Sequence, residues 1–157
     1  MKIDVCNLHD TEIVGKIISQ NLEKGTVLCL DGDLGAGKTT LTQFIAKKFG
    51  VNEYITSPTF TIIKEYEGKL PFYHMDVYRI DSEDDMYDLG YEEYIYSEGI
   101  TIIEWSQKIK NMLPENRINI DIQRGSDDNT RILYITGQGH TYDKIAEELG
   151  KYENTCN

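Results

Sequence analysis

The stretch VLCLDGDLGAGKTT, Val27 to Thr40, decides how the rest of the chain is read. Its apolar start, Val27 to Leu30, reads as a short strand. A glycine-rich turn follows, in which Gly32, Gly37, Lys38 and Thr39 fall at the spacing G-x-x-x-x-G-K-[ST] of a phosphate-binding loop. With average residue usage, chance gives this pattern in roughly half a percent of chains of this size. Just beyond, Leu41, Phe44, Ile45 and Phe49 recur at helical spacing, so the turn lies between a strand and a helix.

A polyphosphate needs several donors converging on one concave spot, and glycines let backbone N–H groups turn inward around it. Gly32, Gly35 and Gly37 supply that freedom. The helix opening near Lys38 aims unpaired N–H groups and its positive dipole end at the same place. The nucleotide cradle is therefore expected at Asp33, Leu34, Gly35, Ala36, Gly37, Lys38, Thr39 and Thr40. Lys38 adds a full charge for the β and γ phosphates, Thr39 a hydroxyl able to ligate magnesium, and Thr40 a weaker candidate for the α phosphate.

The 157 residues suit one domain, large enough to bury a core without disulfides. Acidic residues outnumber basic ones by 27 to 16, a net charge of −11, which argues against unaided binding to a nucleic-acid backbone. DNA is not an expected partner, and any RNA is expected to be met through another protein. Three cysteines, an odd number without C-x-x-C spacing, argue for a reducing interior and against a disulfide framework or zinc site. No run of about 18 apolar residues occurs, so the expectation is a cytoplasmic protein without membrane association.

Along the chain, residues 2 to 6 suit a strand, and Asp10 or Thr11 can cap a helix that Gly25 stops. After the loop helix, Ser57-Pro58-Thr59 makes a stiff turn, and the runs Phe60–Tyr66 and Leu70–Val77 read as a hairpin. Ser82 opens an acidic segment with a short helix, Ile100 to Glu104 is a buried-strand pattern, and Ser106 to Leu113 a helix stopped by Pro114. Ile118–Ile122 and Arg131–Thr136 alternate like an antiparallel pair at the sheet edge. The expected domain spans residues 1–137, with 138–157 an appended polar C-terminal tail whose one helical pattern, Tyr142, Ile145, Ala146 and Leu149, suits a short helix.

A phosphate loop binds nucleotide without naming the reaction, so the informative residues are acidic groups at the ends of neighbouring strands. Glu104 is placed to hold magnesium directly or through water, or to orient the attacking water. Strand alternation puts His74, Asp76 and Tyr78 on one face, with Arg79 just beyond. Thr59 can sense the γ-phosphate and metal. Asp76, Glu104 and Lys38 are the catalytic candidates. A small-molecule kinase would use the same loop, with Arg79, Arg117 or Arg124 on the moving phosphate, but no lid helix is evident. A GTP switch would want an [NT]-K-x-D motif, and none occurs.

In this order, GDLGAGKTT from Gly32, SPTF from Ser57, HMDVYR from His74, DLGYEEY from Asp88 and IIEW from Ile102 resemble the TsaE (YjeE) family. That family is the small ATPase of bacterial tRNA threonylcarbamoyladenosine modification, and the likeness covers roughly residues 10 to 137. It implies an α/β P-loop NTPase fold of three layers, whose mixed sheet has a parallel core and antiparallel edge strands. It also implies ATP hydrolysis that cycles a heterodimer of TsaD and TsaB, with tRNA held mainly by TsaD. Lys38 and Thr39 would then serve phosphate and Mg2+, Thr39, Asp76 and Glu104 the metal, and Thr59 and Trp105 the nucleotide.

Overall fold

In the computed structural model, which describes residues 1–152, the strand around Cys29 becomes the middle of a seven-stranded sheet. The strands are β1 (Lys2–Val5), β2 (Val27–Asp31), β3 (Ile63–Glu67), β4 (Pro71–Asp76), β5 (Ile100–Glu104), β6 (Ile118–Arg124) and β7 (Arg131–Gly137). They lie in the order β1-β7-β6-β2-β5-β4-β3. The four inner strands β6, β2, β5 and β4 pair in parallel, and β1, β7 and β3 add to them antiparallel. The expected mixed sheet, parallel inside and antiparallel outside, is the one that forms.

Strand alternation sorts the apolar residues onto two faces. Leu28, Leu30, Phe72, Ile100 and Ile102 share one cluster with α1 (Leu8–Gln20), α2 (Lys38–Lys48) and α5 (His140–Gly150). Val27, Cys29, Met75 and Ile103 meet α3 (Glu83–Asp88), α4 (Tyr91–Ile95) and a 3₁₀ segment, Ser106–Met112, on the other. Helical elements thus cover both faces, which is why the central strands read as near-continuous apolar runs.

Several local expectations are corrected. α1 starts three residues before Asp10 suggests: Asn7 is the cap and accepts from the Asp10 amide at 3.0 Å, while Asp10 itself accepts from the Cys6 amide at 2.9 Å. The helix closes at Asn21, ahead of Gly25. β3 begins at Ile63 rather than Phe60, because Ile62 takes a left-handed conformation, φ 67°, and turns the chain. The segment after Trp105 is 3₁₀, with a kink at Ile109, and it ends where Leu113 must be extended before Pro114. The β6–β7 pair is antiparallel, yet β6 also pairs with β2 and β1 covers β7, so β1 takes the edge.

Residues 138–157 are expected as a polar tail, but α5 buries Ile145 and Leu149 completely in the cluster that α1 helps to form. Glu23 fastens it from outside, accepting from Thr141 Oγ1 at 3.1 Å and Lys144 Nζ at 2.9 Å. A boundary at 137 would therefore cut through one core. The last five residues of that tail, Cys156 among them, lie outside the described residues. Cys29 is a buried free thiol, which burial pushes up to about 12. No helix among the described residues is long and apolar enough to cross a membrane.

α1 crosses α2 at Gly15, where a Cβ would stand 2.8 Å from Phe44 Cβ. Alanine at Gly15 gains roughly 1 kcal/mol of helix propensity but overpacks the crossing, at a cost of about 1–3 kcal/mol. Gly15→Ala is therefore expected to lower stability in urea unfolding, by about 1 kcal/mol. Gly150→Ala, at a helical site with nothing within 4 Å, is expected to be neutral or slightly stabilising.

Candidate functional site

Three parallel strands end side by side. Register pairs Leu30 with Glu104 and Glu104 with Asp76, so the carboxylates of β5 and β4 stand at one edge beside the point where the glycine loop leaves β2. Ligands of open α/β sheets bind at such carboxyl ends. The loop is pressed against its neighbours. At Gly32, φ 144°, a Cβ would lie 2.4 Å from the Ile122 carbonyl oxygen, so β6 leaves room for glycine alone. Arg131 Nε donates to the Ala36 carbonyl at 2.9 Å and fastens the loop to β7. α2 opens at Gly37, φ 115°, with no side-chain cap, which leaves its first N–H groups without a side-chain acceptor.

Lys38 is buried. Its Nζ donates to the carbonyls of Gly32 at 2.7 Å and Asp33 at 2.9 Å, and lies 4.0 Å from the Trp105 ring centroid. Burial holds its pKa below the usual lysine value, and the nearby Glu104 and Asp76 carboxylates oppose that shift. Thr39 Oγ1 donates to Glu104 Oε1 at 2.8 Å, with Oε2 at 3.2 Å, which joins the loop to the end of β5. Asp76 is held twice, by Ser57 Oγ at 2.6 Å and by the Tyr78 amide at 3.0 Å. Ser57 Oγ lies 3.1 Å from Thr59 Oγ1, which ties the Pro58 turn to the same carboxylate.

These groups line a cleft of about 480 Å³ that includes Leu34, Gly35, Gly37, Lys38, Thr39, Thr40, Thr59, Asp76, Glu104 and Trp105. A smaller cavity of about 280 Å³ lies across the loop, between Leu8, Thr11, Ala36, Thr40, Asn129 and Leu133. Ten of the twelve residues expected at the site thus share the cleft. Ala36 faces the smaller cavity, and Asp33 lines a separate recess with Asp121 and Arg124.

Of the expected convergence of His74, Asp76 and Tyr78, the structure brings Asp76 and Tyr78 to the cleft, with Arg79 beside them, and leaves only His74 out. Tyr78 lies past the end of β4, packed on Trp105 at 4.8 Å between ring centroids, and Arg79 stacks over Phe60. His74 is fully buried beneath the cleft. Its Nε2 stands 3.5 Å from Glu104 Oε1, an ion-pair distance without hydrogen-bond geometry, and neither ring nitrogen has a hydrogen-bond partner.

Three further contributors escape a reading of the sequence. Ser57 reaches Asp76 across 19 positions. Asp31 accepts from Ser106 Oγ at 2.6 Å and the Gln107 amide at 3.1 Å, which fixes the turn at Trp105. Arg131 comes from the far hairpin. Only Ser57, inside the SPTF turn, carries any local signal. The donors gathered here, a hydroxyl and two carboxylates, are hard oxygens of the kind that suit magnesium. No group of three or more His, Cys, Asp or Glu among the described residues makes a protein-only metal cage.

A family model described as "Threonylcarbamoyl adenosine biosynthesis protein TsaE" matches residues 5–133. The tRNA threonylcarbamoyladenosine biosynthesis protein TsaE of Bacillus subtilis is 43% identical over 158 residues, covering 100% of this chain and 98% of its own length. The protein of that name from Treponema pallidum is 42% identical over 124 residues, 79% of this chain and 92% of its own length. A crystal structure of Bacillus subtilis YdiB superposes with a TM-score of 0.79 at 41% identity, covering 98% of this chain and 96% of that one. With the glycine loop, the paired strand-end carboxylates and these likenesses in agreement, the chain belongs to the TsaE family.

Proposed function

We propose that this chain has the P-loop NTPase fold and is a cytoplasmic, magnesium-dependent ATPase of tRNA threonylcarbamoyladenosine biosynthesis. It acts by binding and cycling a TsaD-TsaB heterodimer, through which the tRNA is reached. The role in that pathway follows the family and the names of its members. The observation that carries the chemistry is the Thr39–Glu104 hydrogen bond beside Asp76, which puts a hydroxyl and two carboxylates at the mouth of a glycine loop.

The loop's inward N–H groups and the open end of α2 suit a triphosphate. Lys38 exchanges its two carbonyl acceptors for phosphate oxygens, a stronger charge-assisted pairing. The smaller cavity, walled by Leu8 and Leu133 and edged by Asn129, suits the purine base on the other side of the loop. Thr39, Glu104 and Asp76 are the residues that would hold magnesium, which supplies charge neutralisation across the β and γ phosphates. Each oxygen of Asp76 accepts one hydrogen bond from the protein and keeps a free lone pair for a water. Trp105, held in a left-handed turn at φ 62°, closes the wall next to Lys38.

Lys38→Ala is expected to lower ATP turnover by about 10²–10³-fold and to weaken nucleotide binding, as loss of a preorganised charge at the phosphates does. Glu104→Gln keeps a hydrogen-bonding side chain but loses the charge offered to magnesium, so nucleotide affinity without Mg2+ is expected to hold, while the affinity gained on adding Mg2+ falls and turnover drops by about 10²-fold. Radiometric ATPase and equilibrium binding assays read both. Turnover by the chain alone is expected to be slow, and to rise when the TsaD and TsaB proteins of the same organism are added. Absence of both stimulation and binding would remove the partner assignment. Acceptor-dependent phosphorylation of a small molecule would instead make the chain a kinase.

A further inference from the structure

The buried imidazole of His74 has no role in the account above, and its position is hard to explain by packing. It lies in β4 between Phe72 and Asp76 on one face, opposite Ile102 of β5, fully buried and with both ring nitrogens unpaired. A leucine would fill that space without stranding a polar atom, and a buried polar atom without a partner destabilises a fold. Such orphaned groups in native proteins call for a functional explanation. Glu104 Oε1 stands 3.5 Å from Nε2, and Thr39 Oγ1 already donates to that same oxygen at 2.8 Å.

The geometry points to His74 as a positioning residue for Glu104, one that turns a loosely seated carboxylate into a fixed one when magnesium and nucleotide are bound. This rests on the ATPase reading above. A neutral imidazole with its hydrogen on Nε2 offers a single donor 3.5 Å from Oε1, and closer approach of the carboxylate converts the contact into a hydrogen bond. Oε1 is then shared between Thr39 and His74, and Oε2 is left for the metal shell or a metal-bound water. Outer partners of this kind set the orientation of ligating carboxylates. Placing the donor at the level of the core, where no solvent competes, keeps the second oxygen facing the cleft.

His74→Leu and His74→Gln in the full chain test this, since glutamine can place an amide donor near the position of Nε2. The Leu variant is expected to melt no lower than the wild type and to bind a fluorescent ADP analogue without Mg2+ within about twofold. It should lose about tenfold of the affinity gained on adding Mg2+, with kcat for ATP falling by a similar factor and KM little changed. Gln is expected to restore most of both. Wild-type Mg2+ dependence in the Leu variant overturns the inference. So does an equal loss of affinity with and without Mg2+ accompanied by a lower Tm, since that is a packing effect. If the Leu variant does not fold, His74→Asn decides, its shorter amide falling away from Glu104: an unchanged Mg2+ gain in Asn overturns the inference, and a loss that Gln does not share supports it. A wild-type chain whose nucleotide binding is indifferent to Mg2+ would overturn the ATPase reading itself, and this inference with it.

Discussion

The parallel register of β2, β5 and β4 is the constraint on which the site depends. It sets Leu30 beside Glu104 and Glu104 beside Asp76, so two carboxylates and the root of the glycine loop meet at one sheet edge. Because side chains alternate, a slip of one residue in either pairing would turn a carboxylate to the opposite face and bring an apolar neighbour to the cleft. The register is secured by burial on both faces: Phe72, Ile100 and Ile102 pack towards α1 and α2, while Met75 and Ile103 pack towards α3 and α4. The apolar patterning that makes the core therefore also aims the acids.

That aim has an energetic cost. Glu104, Asp76, Lys38 and His74 are all buried, in a region where a fold selected for stability alone would place hydrocarbon. The cost is offset group by group. Asp76 has Ser57 and the Tyr78 amide, Glu104 has Thr39, and Lys38 has two loop carbonyls and the face of Trp105. Two residues bordering the site, Ile62 and Trp105, hold left-handed backbone conformations. In side chains of that bulk this stores about 1–3 kcal/mol each. Ile62 keeps its turn because its amide donates to the Pro58 carbonyl at 2.7 Å and its carbonyl accepts from the Asp76 amide at 2.8 Å. The strain and the unpaired imidazole thus gather around the same two carboxylates.

How much of this was legible in the sequence depends on distance along the chain. The loop, its strand and its helix lie within 22 residues, and each leaves a local mark in glycine spacing and apolar period. Asp76 and Glu104 were legible because each closes an apolar strand. The Ser57–Asp76 bond, the Asp31–Ser106 bond and the Arg131–Ala36 bond join residues 19, 75 and 95 positions apart, and no local pattern encodes them. α5 was underestimated for a different reason. Its composition is polar because only Ile145 and Leu149 of its helical stretch need to be buried, too few to distinguish it from a solvated helix. His74 could be placed on its strand from alternation, but its separation from the cleft follows from β5 packing alongside.

The two walls of the cleft are not independent. Trp105 begins where the Leu30 carbonyl accepts its amide at 3.0 Å, and Asp31, the next residue of β2, holds the turn that follows through Ser106 and Gln107. Gly32 then starts the loop, pressed against Ile122 of β6. Three consecutive residues, the last two of β2 and the first beyond it, thus anchor the aromatic wall, its supporting turn and the glycine loop. Lys38 spans the gap between them, bonded to the loop's carbonyls and stacked on the indole. A displacement of Lys38 towards an anion in the loop removes a contact from Trp105 at the same moment. Under the proposed ATPase reading the indole would be coupled to the bound nucleotide through this direct contact, with no longer pathway through the fold.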